Sequence, residues 1–396
     1  MSKLKRLNVA MIGQGFMGRS HSNAWYQVGK FFETPVRPML HTVVGRSGHS
    51  PEAFATNWGW SNSSTDWKKT VKSDDIDLVD IVTPNYTHAQ MAKLVIEAGK
   101  AVACEKPIAS TLKEAREMAA GARRFKVPTF VWYNYRRVPA VALAHLMIKA
   151  GKLGEIRHVR AFYLQDWAGP DVPLAWRFNK RLAGSGAHGD LNGHIVDMTR
   201  FVTGEEITEI CGAIAHTFIK ERNISAGSSA GQIGAGLKSG RKKGRVTVDD
   251  TVLFLARFSG GAVATFEAAR QATGNQNRNG FEINGTKGSL KFDFERMNEL
   301  EYYDATTDRA VQGWTNIIVT HGAAHPYVSN WWPDAHLIGY EHGFTNMAYD
   351  MILSMNNQKP VVPLPDFEDA YQTQRVLEAA LISAGEKRWV KLSSVK

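Results

Sequence analysis

Residues 8–18 read NVAMIGQGFMG, a short apolar strand that runs straight into Gly13, Gly15 and Gly18. Few sequence features restrict a fold so tightly. A glycine at 13 makes a tight turn, one at 15 lets a backbone approach a pyrophosphate, and one at 18 lets the next helix pack closely. With Phe16 and Met17 between them, these residues bring the N–H groups of a helix N-terminus to face phosphates. The following helix is predicted from Arg19 to about Lys30, so the motif sits between a strand and a helix, as a nucleotide-binding turn requires. The alternative is a plain structural turn.

The next hundred residues extend the pattern. Apolar runs at 7–12, 39–44, 78–82, 101–104 and 129–132 alternate with helical spacing at 86–98 and 112–124. Such alternation predicts a parallel sheet with crossover helices. Ligands of these sheets bind beyond the strand C-termini. The third candidate strand is followed by Thr83, Pro84 and Asn85, with His88 three residues on, and the fourth by Glu105, Lys106 and Pro107, where a cis peptide is possible. These are read as cofactor-side residues. The second strand ends in Gly45, Arg46 and Ser47, without the acid that binds a ribose 2′-hydroxyl. Arg46 suits a 2′-phosphate, with help from Ser47, which favours NADP; stacking of Arg46 on the adenine of NAD is the alternative.

Beyond residue 132 the pattern changes. Helical residues 138–150 precede a long strand at 155–166, and a glycine-rich start at 184 becomes a helix up to 204. Strands follow at 251–258, 262–268, 281–284, 289–292 and 299–303, and helices at 340–354 and 367–384 close the chain. The fold class expected is α/β: an N-terminal Rossmann dinucleotide-binding domain over 1–132 and a C-terminal α+β domain over 133–396 with an open, mainly antiparallel sheet.

Bulk properties exclude several function classes. The 396 residues, 43% hydrophobic, suffice for two cores. No apolar run reaches the roughly 20 residues of a membrane span, and the N-terminal stretch works better as a strand than as a signal peptide. Two cysteines, Cys104 and Cys211, make no disulfide framework and fit a reducing cytoplasm. The net charge of +10 comes from scattered residues apart from Lys238, Arg241, Lys242, Lys243 and Arg245. That cluster lies in a Gly- and Ser-rich stretch over 226–244 and reads as a solvated loop between strands, with a phosphate-binding arm as the alternative, and no nucleic-acid partner is expected. The charge fits an anionic cofactor or substrate instead.

Chemistry beside a bound dinucleotide, such as hydride transfer from an alcohol, needs a base for the hydroxyl proton and positive charge for the developing alkoxide. Asp190 and His194, four residues apart, share one face if the helix has begun by Asp190. An imidazole with a pKa near 6.5 suits proton acceptance, and Lys106 suits alkoxide stabilisation, although these two roles are exchangeable. Asp197, a turn later, reads equally well as an ion-pair partner. Zinc on His188 and His194 lacks any supporting spacing, so no metal is expected.

GQGFMGRSH (13–21), TPNYTH (83–88), CEKP (104–107) and GDLNGHIVD (189–197) together resemble the Gfo/Idh/MocA family of sugar and polyol dehydrogenases. The resemblance implies NAD(P)-dependent hydride transfer, with Lys106, Asp190 and His194 as the catalytic set, and a homodimer or homotetramer packed through the open sheet. NYRR (134–137), YLQDW (163–167), WRF (176–178), AGSGAHGD (183–190) and HPY (325–327) resemble its levoglucosan dehydrogenase branch, which oxidises the C3 hydroxyl of an anhydro-sugar. On that basis Tyr135, Gln165, Trp167, Trp176, Arg177 and His325 are expected to contact a sugar, glycoside or cyclitol, together with Asp190 and His194. This branch pulls the cofactor towards NAD. Two residues depart from the family pattern: Asn192 stands where glycine is usual, and His188 where an apolar residue is usual. Both bear on the exact substrate. Other readings are a glycoside-cleaving relative with tightly held NAD, and a non-catalytic nucleotide-binding regulator.

Overall fold

The structure is a computed structural model that describes residues 5–225 and 239–396. Among these, one compact unit takes in residues 5–137 and 339–371, and a second takes in 138–225, 239–338 and 372–396.

The first unit is built on six parallel strands: β1 (Arg6–Ile12), β2 (Arg37–Val44), β3 (Asn62–Ser64), β4 (Leu78–Ile81), β5 (Ala101–Cys104) and β6 (Thr129–Val131). Their order is β3-β2-β1-β4-β5-β6, so the direction of winding reverses between β1 and β4. That reversal opens a crevice at the strand C-termini, where Rossmann folds bind dinucleotides. Strands covered on both faces read as continuous apolar runs, and β4 and β5 are buried throughout. Helices α1 (Phe16–Phe31), α2 (Pro51–Trp58), α3 (Trp67–Val71), α4 (His88–Glu97) and α5 (Leu112–Phe125) make the crossovers. Helix α1 begins at Phe16, three residues before the predicted start, because Gly18 lies inside its first turn. The short strand β3 carries only Asn and Ser and had no apolar signal to reveal it.

The second unit opens with α6 (Pro139–Lys149), β7 (Ile156–Leu164), α7 (Lys180–Ala183) and α8 (Gly193–Thr203). Strands β8 (Ile207–His216), β9 (Glu221–Ser225), β10 (Ser239–Arg245), β11 (Thr251–Phe258), β12 (Val263–Ala269), β13 (Arg278–Gly285), β14 (Gly288–Asp293), β15 (Glu299–Asp304) and β16 (Trp314–Ile318) follow. Nine strands form one sheet in the order β16-β15-β14-β13-β7-β12-β11-β8-β17, where β17 is Val390–Lys391. Only the β7–β12 pair is parallel. All eleven residues of α8 are buried, as for a helix covered on every side. In β11 buried Val252, Phe254, Ala256 and Phe258 alternate with residues on the other face, and Phe254 stacks on Phe266 at 4.7 Å.

The basic stretch is a correction. Residues 239–245 are not a loop but strand β10, antiparallel to β9, with Lys243 4.0 Å from Glu221. Lys238 and the rest of 226–238 lie outside the described residues.

Helix α9 (Tyr340–Met355) belongs to the first unit, and α10 (Phe367–Glu386) is divided between the units after residue 371. A buried ion pair fastens α9 to the turn after β6. Arg137 Nε lies 3.2 Å from Asp350 Oδ2, and its Nη2 donates to the Val362 carbonyl at 3.0 Å. No described helix is long and apolar enough to cross a membrane.

Candidate active site

At the C-terminal end of the parallel sheet, Gly13 has φ +121°, and a Cβ there would sit 2.8 Å from the Val82 carbonyl oxygen. A Cβ at Gly18 would come within 2.7 Å of the Gly13 carbonyl oxygen. Neither position accepts a side chain, so α1 starts hard against the turn with Gly15 as its N-cap. No acid stands in its first turn to oppose an anion. This cradle, formed by Gly13, Gly15, Phe16, Met17 and Gly18, fits a pyrophosphate. Beyond β2, Gly45 donates to the Ser64 carbonyl at 3.0 Å and packs against Gln14, while Arg46 and Ser47 are exposed.

The residues after β4 and β5 divide into two groups. Thr83, Pro84 and Asn85 form the loop entering a single 3₁₀ turn, with Thr83 Oγ1 2.6 Å from Thr87 Oγ1. His88 is buried, its Nδ1 3.0 Å from the Pro107 carbonyl and its Nε2 2.8 Å from that of Thr83. Burial holds its pKa below the usual range, against the two carbonyls, and the ring packs between the two strand-end loops. Glu105 turns inward as well: Oε1 meets His21 at 3.0 Å and Oε2 accepts the Lys106 N–H at 3.1 Å. The Lys106–Pro107 peptide is cis. Tyr135 is buried in the 3₁₀ turn Asn134–Arg137 of this same unit.

In the second unit, α8 is preceded by one π-helical turn, His188–Asn192. Asp249 secures its start by accepting from Gly186 N–H at 2.8 Å and His188 N–H at 2.7 Å. Asp190 therefore stands in a π turn and His194 in the first turn of the α-helix that follows. The i→i+5 winding alters the angular step between them, and such turns recur at functional sites.

Asp190 is held from outside its own helix. Its Oδ2 accepts from Arg270 Nη2 at 2.7 Å, and Arg270, only 3% exposed, lies over the Trp167 ring at 5.4 Å. Arg177 lies over Trp176 at 4.6 Å. Burial pushes the Arg177 pKa down to about 10, with Asp190 opposing that shift and Arg270 adding to it. His194 is buried, its ring 5.8 Å from that of Tyr163. Gln165 is committed at both ends: Nε2 donates to Asn277 Oδ1 at 2.6 Å, and Oε1 accepts from Trp167 Nε1 at 2.8 Å. His325 is tied into its own loop, accepting from the His321 N–H at 3.0 Å, and burial followed by His321 lowers its pKa. Asp197 is fully buried in α8.

The two departures from the family pattern form one interaction. Asn192 Nδ2 lies 3.0 Å from His188 Nδ1 and donates to the Val252 carbonyl at 3.1 Å, while His188 Nε2 donates to the Leu377 carbonyl at 2.8 Å. Burial depresses the His188 pKa, so the ring is neutral, with Nδ1 accepting and Nε2 donating. His188 is thereby a core residue of this unit.

A family model described as the oxidoreductase family with an NAD-binding Rossmann fold matches residues 7–133, and the GFO/IDH/MocA C-terminal domain matches 141–291. The chain belongs to the GFO/IDH/MocA oxidoreductase family. Its relatives in that family include levoglucosan dehydrogenase of Pseudarthrobacter phenanthrenivorans, 38% identical over 99% of this chain and 100% of the relative. Among solved GFO/IDH/MocA-like structures, levoglucosan dehydrogenase in complex with NADH and levoglucosan superposes with a TM-score of 0.89 at 38% identity, covering 98% of this chain and 100% of that one. An oxidoreductase domain protein from Kribbella flavida reaches 0.91 at 45% identity, covering 98% and 100%.

Four residues of the site had no sequence signal. Arg270 and Asn277 sit just past β12 and just before β13, and only strand register brings them to Asp190 and Gln165. Asp249 reaches the π turn from the start of β11. His21 carries no mark of its buried ion pairs beyond its place in GQGFMGRSH.

Proposed function

We propose that this protein is an NAD-dependent dehydrogenase that oxidises a secondary hydroxyl of a levoglucosan-like anhydro-sugar. The observation that carries this reading is the presence of Lys106, Asp190 and His194 in a chain matched from end to end by levoglucosan dehydrogenase. The cradle of Gly13, Gly15 and Gly18 would hold the dinucleotide, which would supply a hydride acceptor for the alcohol carbon. His194 takes the hydroxyl proton, and its buried setting keeps competing water away. Lys106 supplies the positive charge that stabilises the developing alkoxide. Asp190, oriented by Arg270, accepts a hydrogen bond from a neighbouring sugar hydroxyl. Trp167 and Trp176 offer aromatic faces to the sugar C–H patches, Arg177 addresses vicinal oxygens, and Tyr135, Gln165 and His325 shape the surroundings.

NAD is preferred over NADP because the solved levoglucosan dehydrogenase complexes hold NADH. The NADP preference drawn from Arg46 and Ser47 has no counterpart there, and stacking of Arg46 on adenine supports NAD equally well. Residues 1–132 serve the cofactor and 133–396 the substrate and assembly. The open sheet face presents Ile214, Leu255, Val263 and Trp389 to solvent, which supports homo-oligomer formation through the sheet. Unpaired Cys104 and Cys211 suit a cytoplasmic setting.

The test is reduced-nicotinamide absorbance with levoglucosan, glucose, simple glycosides and inositols, each with NAD and NADP in parallel. Levoglucosan with NAD is expected to give the steepest rise, and His194→Ala to lower it by about 10²–10⁴-fold. A flat trace with every sugar refutes the reading and favours the glycoside-cleaving relatives that keep NAD bound.

A further inference from the structure

Helix α1 carries His21 into the interior of the first unit, where it is completely buried. Both ring nitrogens meet carboxylate oxygens: Nδ1 is 2.9 Å from Asp80 Oδ2, and Nε2 is 3.0 Å from Glu105 Oε1. Ionised carboxylates only accept hydrogen bonds, so both nitrogens must carry protons, and only the imidazolium has both. The anions are well supplied. Asp80 also accepts from Trp25 Nε1 at 2.9 Å and Trp132 Nε1 at 2.8 Å. The free oxygen of Glu105 accepts the Lys106 backbone N–H at 3.1 Å. The His21 ring lies 4.1 Å from that of Trp132 and 5.5 Å from that of Phe344.

A buried cluster of three charges is expensive to desolvate, and an apolar core of the same shape would be as stable or more so. It specifies geometry instead. Its last link is the backbone N–H of Lys106.

We propose that His21 is a positioning residue, a buried imidazolium that clamps Asp80 to Glu105 and, through Glu105, fixes the backbone from which Lys106 reaches its substrate. This rests on the reading above in which Lys106 stabilises the alkoxide. The titratable groups around the ring are Asp80 from β4, Glu105 with its neighbours Cys104 and Lys106 at the end of β5, and His88 from α4. Burial alone lowers the His21 pKa, but Asp80 and then Glu105 outweigh it and raise it from 6.5 to about 9. Burial first, and then Glu105 and Asp80, push the Cys104 thiol up, and burial lowers the His88 pKa.

The test uses full-length protein labelled with ¹⁵N at histidine and lysine. At pH 7.5 the His21 ring nitrogens are expected at imidazolium shifts with both protons present. The Lys106 amide, assigned through Lys106→Arg, is expected to move in His21→Gln and in Glu105→Gln. With a sugar that is turned over, both of these variants should lose about 10- to 100-fold in kcat, while the Kd of His21→Gln for NADH changes less than about twofold. A neutral His21 at pH 7.5, an unmoved Lys106 amide in the folded variants, or kcat within about twofold of the parent overturns the proposal. If no sugar is oxidised, the dehydrogenase reading fails and the two resonance measurements still decide the clamp.

Discussion

Removing Asn192 tests whether the two departures from the family pattern are one physical unit. Asn192→Ala withdraws the amide from His188 Nδ1 at 3.0 Å and from the Val252 carbonyl at 3.1 Å. His188 is completely buried, so water cannot replace the lost partner. Each stranded polar group costs roughly 1–3 kcal/mol, which gives about 2–6 kcal/mol for the variant. His188→Leu leaves the Leu377 carbonyl without its donor, for about 1–3 kcal/mol. In the double variant the imidazole is gone, and the penalty for its stranded Nδ1 disappears with it. The double should therefore be less destabilised than the sum of the singles by about 1 kcal/mol or more. Urea unfolding at pH 7.5, followed by circular dichroism, measures all three. The parent carries a further signature. Burial lowers the His188 pKa below 6.5, so the unfolded chain binds the proton first, and stability present above pH 6.5 is lost as pH falls. His188→Leu should flatten that slope. Additivity of the two substitutions within about 0.3 kcal/mol would refute the pairing.

Two further outcomes follow from single contacts. Arg46→Glu should weaken NADP binding far more than NAD binding, read by fluorescence titration with each reduced cofactor. Equal loss of both would show that Arg46 stacks on adenine and has no selectivity for a 2′-phosphate. Asp350→Ala strands the buried guanidinium of Arg137 and should destabilise the first unit by about 3–5 kcal/mol in urea unfolding. An unchanged midpoint would show that α9 is held by apolar packing alone.

The sequence by itself determined whatever depends on neighbours within a turn or two. Gly13 and Gly18 are dictated by a positive φ and by a helix end pressed against a carbonyl, and both act over six residues. The apolar runs of β1, β4 and β5 announce a parallel sheet because each strand is covered on both faces. Alternation in β11 marks a sheet with one open face for the same kind of local reason. Lys106, Asp190 and His194 stand out as candidates in the sequence because short motifs surround them.

Tertiary structure decided what depends on register between distant segments. Arg270 reaches Asp190 across 80 residues, and Asp249 secures the π turn across more than 60. No local propensity encodes either contact. The polar strand β3 and the basic strand β10 pair because a neighbouring edge offers backbone groups, whatever their own hydropathy. Residues 339–371 belong to the first unit, where Asp350 meets the buried Arg137. His21 shows the division most plainly: the motif places it on α1, but only the packed sheet sets two carboxylates 2.9 and 3.0 Å from its ring. Charge there is fixed by what surrounds the ring after folding, and a linear pattern contains no record of those surroundings.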